Sequence, residues 1–433
     1  MPKISCIMPV YNCEDTLERS AGSILNQTFS DYELILVDDC STDGSYETML
    51  KMAETDCRIK LFRMNQNSGA ANCRNYGYSK SNGEYVMFLD ADDYFFPELF
   101  EKTYLSAVEY DADVVVFGSE NVYVSDEYKW NKGKTNLPER GVYKYDEMDN
   151  FQYGLCRFVP WNKLICSKLI RNNKLYFQNV PNSNDIFFSL TVTAYADKFV
   201  FIDDVLVRYY AGNSGSLTES KKKRMYYMEA FCASWKTIYY DENMCGDRKK
   251  RILNYLVKII RDSFYNDAYT NTIINQALNT GRSDTQFWKS FMDYVQKSNT
   301  ISSYLKKEIE WIIRTDYDCD VLREQRDKYI YGWFRDKYVK GEKIAIWGYG
   351  KRGRRIVDYL VKLDCFQYVY CIIDENCNKM EKGQHSAKKY ADVKNDIDSV
   401  VITIANTDIV DDIKKQIDNN AEIYISENEF GYL

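Results

Sequence analysis

Gly83-Glu84-Tyr85-Val86-Met87-Phe88-Leu89-Asp90-Ala91-Asp92-Asp93 is an apolar run that ends in a knot of acids. The run is apolar enough for a strand buried on both faces, and the acids then stand where that strand leaves the sheet. In an open parallel sheet, ligands bind outside the carboxyl ends of the strands. Asp90 and Asp92 are two apart, which in extended backbone turns both carboxylates to one side. Two carboxylates facing one point repel unless a cation or a hydrogen-bonded ligand lies between them. Such a pair suits a hard divalent ion, Mg2+ or Mn2+, with positions left for water and phosphate. The same spacing also fits an acidic helix N-terminus at Asp92 or Asp93 ahead of Pro97.

Outward from this stretch, strands and helices alternate. Ile4–Met8, Tyr32–Asp38, Arg58–Phe62 and Asp113–Phe117 read as further strands. Asn12–Asn26, Gly44–Thr55, Gly69–Ser79 and Pro97–Tyr110 read as helices, the first on the helical spacing of Leu17, Ala21, Ile24 and Leu25. This alternation implies an α/β fold with a doubly wound, mostly parallel sheet. Two more strand ends carry polar clusters, Pro9-Val10-Tyr11-Asn12 and Asp38-Asp39-Cys40-Ser41-Thr42-Asp43-Gly44. Asn131–Lys134 reads as a turn, Asp185–Ala196 as a helix and Phe199–Tyr209 as a strand. Residues 216–336 read as a mostly helical region. A new strand–turn–helix pattern opens at Lys343, with strands at 343–347, 368–373, 399–404 and 422–425 and helices at 354–362 and 408–419. It predicts a small Rossmann-like α/β domain. The expected division is therefore 1–215, 216–336 and 337–433.

The chain has 433 residues, 45% of them apolar and 28% charged, which excludes global disorder. A net charge of −7 argues against nucleic acid as a partner. No apolar run approaches the roughly 20 residues that cross a bilayer. The N-terminus lacks a charged segment followed by an apolar one, so no secretory signal is expected and the location expected is cytoplasmic. The 13 cysteines form no C-x-x-C pair and read as reduced thiols. The single histidine, His385, excludes His-rich zinc sites and mechanisms needing two histidines. Carboxylates and an oxygen-ligated metal are left as the chemistry.

The stretch from Ile4 to Pro97 resembles the catalytic domain of glycosyltransferase family 2, a GT-A fold of inverting nucleotide-sugar transferases. The resemblance rests on P-V-Y-N at 9–12, V-D-D-x-S-x-D-G at 37–44, N-x-G at 67–69, R-N-x-G at 74–77 and G-E-Y-V-x-F-L-D-A-D-D at 83–93. It extends to roughly residue 215. It implies that Pro9 and Tyr11 line the base pocket and that Asp39 accepts a hydrogen bond from a base N–H, which favours uracil or thymine. It also implies that Arg74 approaches the diphosphate, that Asp90 contacts the ribose, and that Asp92, with Asp90, ligates Mn2+ or Mg2+. Asn67 and Gly69 join the nucleotide-sugar set. Asn182–Phe188 resembles the family's base segment, with Asp185 as the base and Asn184 where Glu would stand, and Trp161-Asn162-Lys163-Leu164 also matches. For Asp185 the plain alternative is a helix cap; for Tyr11 and Arg74 it is core packing and a surface ion pair.

The resemblance implies single displacement onto a hydroxyl of a glycan or lipid-linked acceptor, as in bacterial surface polysaccharide synthesis, from a nucleotide-sugar donor expected to be UDP-linked because Asp39 favours uracil. Residues 220–261 carry 11 Lys or Arg against 4 Asp or Glu, with an apolar stripe at Ile252, Leu256, Val257 and Ile260. This stretch fits a peripheral contact with the inner face of a membrane, or a bundle helix with a solvated basic face. Gly348-Tyr349-Gly350-Lys351-Arg352-Gly353 is a G-x-G-x-x-G turn between a strand and a helix, with Asp374 at the end of the next strand. That context fits NAD(P) or another nucleotide, or a structural or homo-oligomeric role. Two other readings stay open: a non-catalytic sugar-nucleotide-binding scaffold, and an oxidoreductase or epimerase centred on Gly348–Asp374.

Overall fold

A computed structural model describes residues 1–123, 135–136, 140–148, 150–181, 183–211, 227–265, 285–298, 306, 319–348, 351–374, 387–403, 413–417 and 421–425. The chain forms two compact units, Met1–Leu256 with Asn275–Phe287, and Val257–Ile274 with Trp288–Leu433.

The first unit is built on strands β1 (Ile4–Val10), β2 (Tyr32–Asp38), β3 (Ile59–Arg63), β4 (Tyr85–Phe88), β5 (Tyr94–Phe95), β6 (Val114–Tyr123), β7 (Thr135–Asn136), β8 (Gly141–Lys144), β9 (Lys163–Cys166) and β10 (Lys198–Ala211). They form one sheet in the order β3-β2-β1-β4-β9-β6-β10-β5, with β7 on β6 and β8 on β10. β1 runs parallel to β2 and β4, and β10 parallel to β6.

Helices cover both faces. α1 (Glu14–Leu25) and α4 (Leu99–Tyr110) lie on one face and α3 (Ala70–Lys80) on the other. The remaining helices are α2 (Ser45–Thr55), α5 (Asn150–Leu155), α6 (Ser167–Asn173), α7 (Asn184–Tyr195), α8 (Tyr227–Tyr239) and α9 (Gly246–Tyr265), the last running from residues of the first unit into residues of the second. All seven residues of β2 are buried, as a strand covered on both sides requires. Ile4, Cys6, Met8 and Val10 pack in one core with Leu17, Ala21 and Ile24 of α1 and with Leu99 and Phe100 of α4. The alternate residue Ile7 faces α3, where a Cβ on Gly77 would come within 2.6 Å of its side chain. Only glycine lets α3 approach that closely. The doubly wound, mostly parallel sheet expected from the sequence is present.

Several short strands, β5, β7, β8 and β9, were not legible in the sequence, and β9 matters most. β9 enters between β4 and β6, antiparallel to both. Its four residues, Lys163-Leu164-Ile165-Cys166, open on a lysine and are too few to show alternation. The lysine is buried all the same.

The second unit has a five-stranded sheet in the order β13-β12-β11-β14-β15, from β11 (Ile344–Trp347), β12 (Val369–Ile373), β13 (Ala387–Lys388), β14 (Ser399–Ile402) and β15 (Glu422–Ile425). Its pairings are parallel throughout. Ile344 and Ile346 face one core with Ile356, Val357 and Leu360. Ala345 and Trp347 face another with Tyr390 and Val393. The helical region supplies α8, α9, Thr285–Lys297 and Cys319–Val339.

The expected membrane stripe is corrected here. Ile252, Leu256 and Val257 are buried, so these three are not open to lipid, whereas the side chain of Ile260 and residues 220–226 lie outside the described residues. Among the described residues no helix is long and apolar enough to cross a membrane. The turn at Asn131–Lys134 lies outside the described residues.

Candidate active site

The site gathers at the carboxyl edge of β1, β2 and β4. Val10 pairs with Asp38, and the Asp39 amide donates to the Val10 carbonyl at 2.8 Å, so the two strand ends finish side by side. Ile7 is the last β1 residue paired with β4. The half-buried Pro9 therefore lies beyond the ladder that would need its missing N–H. Tyr11 follows, 46% exposed as a residue.

The loops after β1 and β2 are tied together. Asn12, at φ 50°, accepts from the Thr42 amide at 2.8 Å through its side chain. Asp43 accepts from the Glu14 amide at 3.1 Å at the start of α1, and Glu14 accepts from the Gly44 amide at 3.0 Å at the start of α2. Asp43, in the loop before α2, thus caps α1, and Glu14, the first residue of α1, caps α2, so each carboxylate also meets the favourable end of a helix dipole.

Asp39 is buried, and its two oxygens accept from the Ser68 amide at 2.7 Å and the Gly69 amide at 2.8 Å. It caps α3 through Gly69, whose φ of 85° explains the glycine there. A carboxylate has about four lone-pair sites, so acceptor capacity remains. Asn67 is exposed in the loop just before it.

The acidic turn after β4 is held by its backbone. Ser20 donates to the Asp90 carbonyl at 3.0 Å, Thr16 to the Ala91 carbonyl at 2.9 Å, and Arg19 to the Asp92 carbonyl at 2.6 Å, all from α1. Asp92 and Asp93 do not cap α4, whose N-cap position is Glu98. Asp93 is fully buried and accepts from the Tyr210 amide at 3.0 Å. Burial, then the charges of Asp92 and Asp90, hold its carboxyl well above the usual range.

Arg74 joins this turn to α7. Its Nη2 donates to Asp90 at 2.6 Å and its Nη1 to the Asn184 side-chain oxygen at 3.1 Å, while its guanidinium lies 5.3 Å from the Phe177 ring. The side chain is 8% exposed, and its Nε–H is buried with no protein partner. The next residue, Asn75, clamps the Phe177 backbone, donating to its carbonyl and accepting from its amide, both at 2.8 Å.

Asp185, half-buried, lies in the first turn of α7 behind Ser183, a residue held at φ 60°. Burial pushes its carboxyl up to about 6, the Arg74 charge and the local amides pull it down, and Asp90 adds to the rise. An acid poised near neutrality suits proton transfer. Lys163 is buried nearby and donates to the Val159 carbonyl and the Asn162 side chain at 2.6 Å, and to the Arg157 carbonyl at 3.3 Å. Burial pushes its ammonium down to about 7.

The residues read from the sequence thus come together at one edge: Pro9, Tyr11, Asp39, Asn67, Gly69, Arg74, Asp90 and Asp92, with Asp185 linked through Asn184 and Arg74. The clamp by Asn75 and the buried Lys163 were not read. The flagged Trp161–Leu164 stretch was the only signal for the second.

At the acidic turn the candidate ligands are the carboxylates of Asp90 and Asp92, both oxygen donors. Among the described residues, no group of three His, Cys, Asp or Glu side chains could hold a metal by itself. One or two carboxylates fit an ion of the Mg2+ or Mn2+ type that takes its other ligands from phosphate and water.

At the glycine turn of the second unit, Gly348 and Gly353 approach so closely that a Cβ on Gly353 would lie 1.7 Å from the Gly348 carbonyl. Thr403 donates to that carbonyl at 2.7 Å. These two glycines serve close strand–helix packing. Asp374 is half-buried at the end of β12, and Gly350 lies outside the described residues. Nothing in the described geometry supports NAD(P).

Residues 5–172 match the family described as Glycosyl transferase family 2. The chain is 33% identical over 226 residues to glycosyltransferase GlyG of Streptococcus pneumoniae, covering 50% of this chain and 73% of that one. It is 47% identical over 102 residues to an uncharacterized glycosyltransferase of Haemophilus influenzae, covering 24% of this chain but only 41% of that one. In fold it is similar to S. aureus TarS 1-349, solved in complex with UDP-GlcNAc, with a TM-score of 0.59 at 18% identity over 79% of this chain and 93% of that one. The strand-end geometry and these likenesses agree, and the chain belongs to glycosyl transferase family 2.

Proposed function

We propose that this chain is an inverting glycosyltransferase that moves a sugar from a UDP-linked donor to a hydroxyl of a glycan or lipid-linked acceptor, in bacterial surface polysaccharide synthesis. The catalytic domain is residues 1–215, followed by the helical region 216–336 and the α/β domain 337–433. The observation that carries this reading is Arg74, a buried cation between Asp90 and the Asp185 helix with one N–H unpartnered. Its guanidinium charge, held by Asp90 and Asn184 beside the acidic turn, is what a donor diphosphate would meet there.

Tyr11, with Pro9, stacks against the base. Asp39 uses its remaining lone pairs for the base N–H. Asp90 takes the ribose, and Asn67 and Gly69 border the donor. Asp92, with Asp90, would hold Mn2+ or Mg2+, which when bound neutralises phosphate charge. Arg74 offsets charge growing on the leaving diphosphate. Asp185 accepts the acceptor hydroxyl's proton while the hydroxyl oxygen attacks the anomeric carbon from the opposite face. One displacement then converts an α-linked donor into a β-linked product.

A calorimetric titration with UDP tests this. Binding is expected with Mn2+ and is expected to be lost in Asp92→Ala. Absence of binding with Mn2+ would refute the donor site.

A further inference from the structure

Arg74 reaches two elements that no ladder connects, the turn after β4 and the start of α7. Asp90 takes one guanidinium nitrogen at 2.6 Å, and Asn184 takes the other at 3.1 Å. Asn184 is 5% exposed and is the first residue of α7, immediately before Asp185. Asp90 alone would leave the guanidinium free to pivot about a single contact. A second acceptor on the other nitrogen fixes the plane, because the guanidinium is a rigid fork. Phe177 closes a third side at 5.3 Å from the guanidinium carbon, and Asn75 holds Phe177 in turn.

Charge matters as much as geometry. An asparagine supplies an acceptor oxygen with no charge. Arg74 therefore keeps one hydrogen-bonded carboxylate, Asp90, and acts on Asp185 only through space, where an acidic residue at 184 would add a second direct carboxylate partner. A guanidinium shared between two carboxylates has less net field for a third anion.

We propose that Asn184 is a positioning residue that acts through Arg74: its side-chain oxygen fixes the guanidinium plane toward the donor diphosphate while its neutrality leaves the Arg74 charge available to that diphosphate. This inference rests on the donor site assigned under the proposed function. Asn184 touches neither sugar nor acceptor in this role, so its effect is confined to the phosphates and vanishes when Arg74 is absent.

The test is a double-mutant cycle on full-length protein, read by calorimetry with UDP and, separately, uridine, both with Mn2+. Asn184→Ala is expected to weaken UDP about tenfold, the scale of one hydrogen bond to a charged group. In an Arg74→Ala background the same substitution is expected to change the UDP Kd by less than about twofold, because the partner through which it acts is gone. Uridine affinity is expected to stay within about twofold in every variant, since it carries no phosphate. Asn184→Ser, too short to reach, carries the same expectations should the alanine variant not fold. Equal losses in both Arg74 backgrounds, an equal loss on uridine, or no loss on UDP would overturn the proposal. Failure of the unsubstituted chain to bind UDP defeats the donor-site reading itself, and this inference with it, and it is told apart because it appears without any substitution.

Discussion

Replacing Asp185 with asparagine should make the protein more stable at neutral pH and sharply slow its transfer activity. In the folded chain burial lifts the Asp185 carboxyl from an ordinary 3.8 to about 6, which corresponds to about 3 kcal/mol held against folding once the group ionises. The sign follows from the direction of the shift. A carboxyl whose folded value is raised contributes most below its unfolded value, and that contribution is lost as pH climbs through the folded value. An asparagine does not ionise, so the gap between variant and native chain opens with pH. It should be under about 1 kcal/mol at pH 4, about 2 at pH 5 and about 3 at pH 8. Urea unfolding of both chains at these three values, followed by tryptophan fluorescence, measures it. Comparing the two chains at each pH cancels the titration of every other group that behaves alike in both. The same variant should lose about 100- to 10,000-fold in transfer rate, the range of general-base catalysis. A gap that does not change with pH, or an asparagine variant less stable than the native chain at pH 8, would refute the account of Asp185 as a base made reactive by burial.

Two further outcomes are expected. Asn75→Ala strips both hydrogen bonds from the Phe177 backbone and should cost about 1–3 kcal/mol, with faster amide exchange across residues 175–179 than across α3; unchanged exchange there would mean that packing alone holds the segment. Gly353→Ala places a Cβ 1.7 Å from the Gly348 carbonyl and should cost more than about 4 kcal/mol, seen as loss of the second unit's melting transition while UDP binding by the first persists; a normal transition would show that the turn yields.

The half of the first unit up to Tyr110 was legible because its signals are local. β2 is a run of apolar residues, and α1 repeats Leu17, Ala21 and Ile24 at helical spacing. The acids of the site stand at strand ends, where chain direction alone places them. What was not legible depends on distant partners. β9 is a strand because β4 and β6 leave a gap of its width. Lys163 is buried because three oxygens surround its ammonium, and nothing in a lysine's neighbours along the chain says so. The basic helix α9 shows the converse: its stripe was visible, but whether lipid or protein covers such a stripe is decided by packing, and here Ile252 and Leu256 are buried in the fold. Asn184 looked like a departure from a pattern, and only its contact with Arg74 gives it a part.

The exchange of caps between Glu14 and Asp43 makes a latch out of two loops. Loosening either loop uncovers a helix end belonging to the other, so neither opens cheaply by itself. Tyr11 and Asp39 are carried on these same two loops. A nucleotide arriving there meets a wall whose freedom was already lost when the chain folded, so little ordering remains to oppose binding. Recognition of the base should therefore behave as a rigid fit, with a small entropic penalty and with hydrogen exchange in the two loops slowing and quickening together.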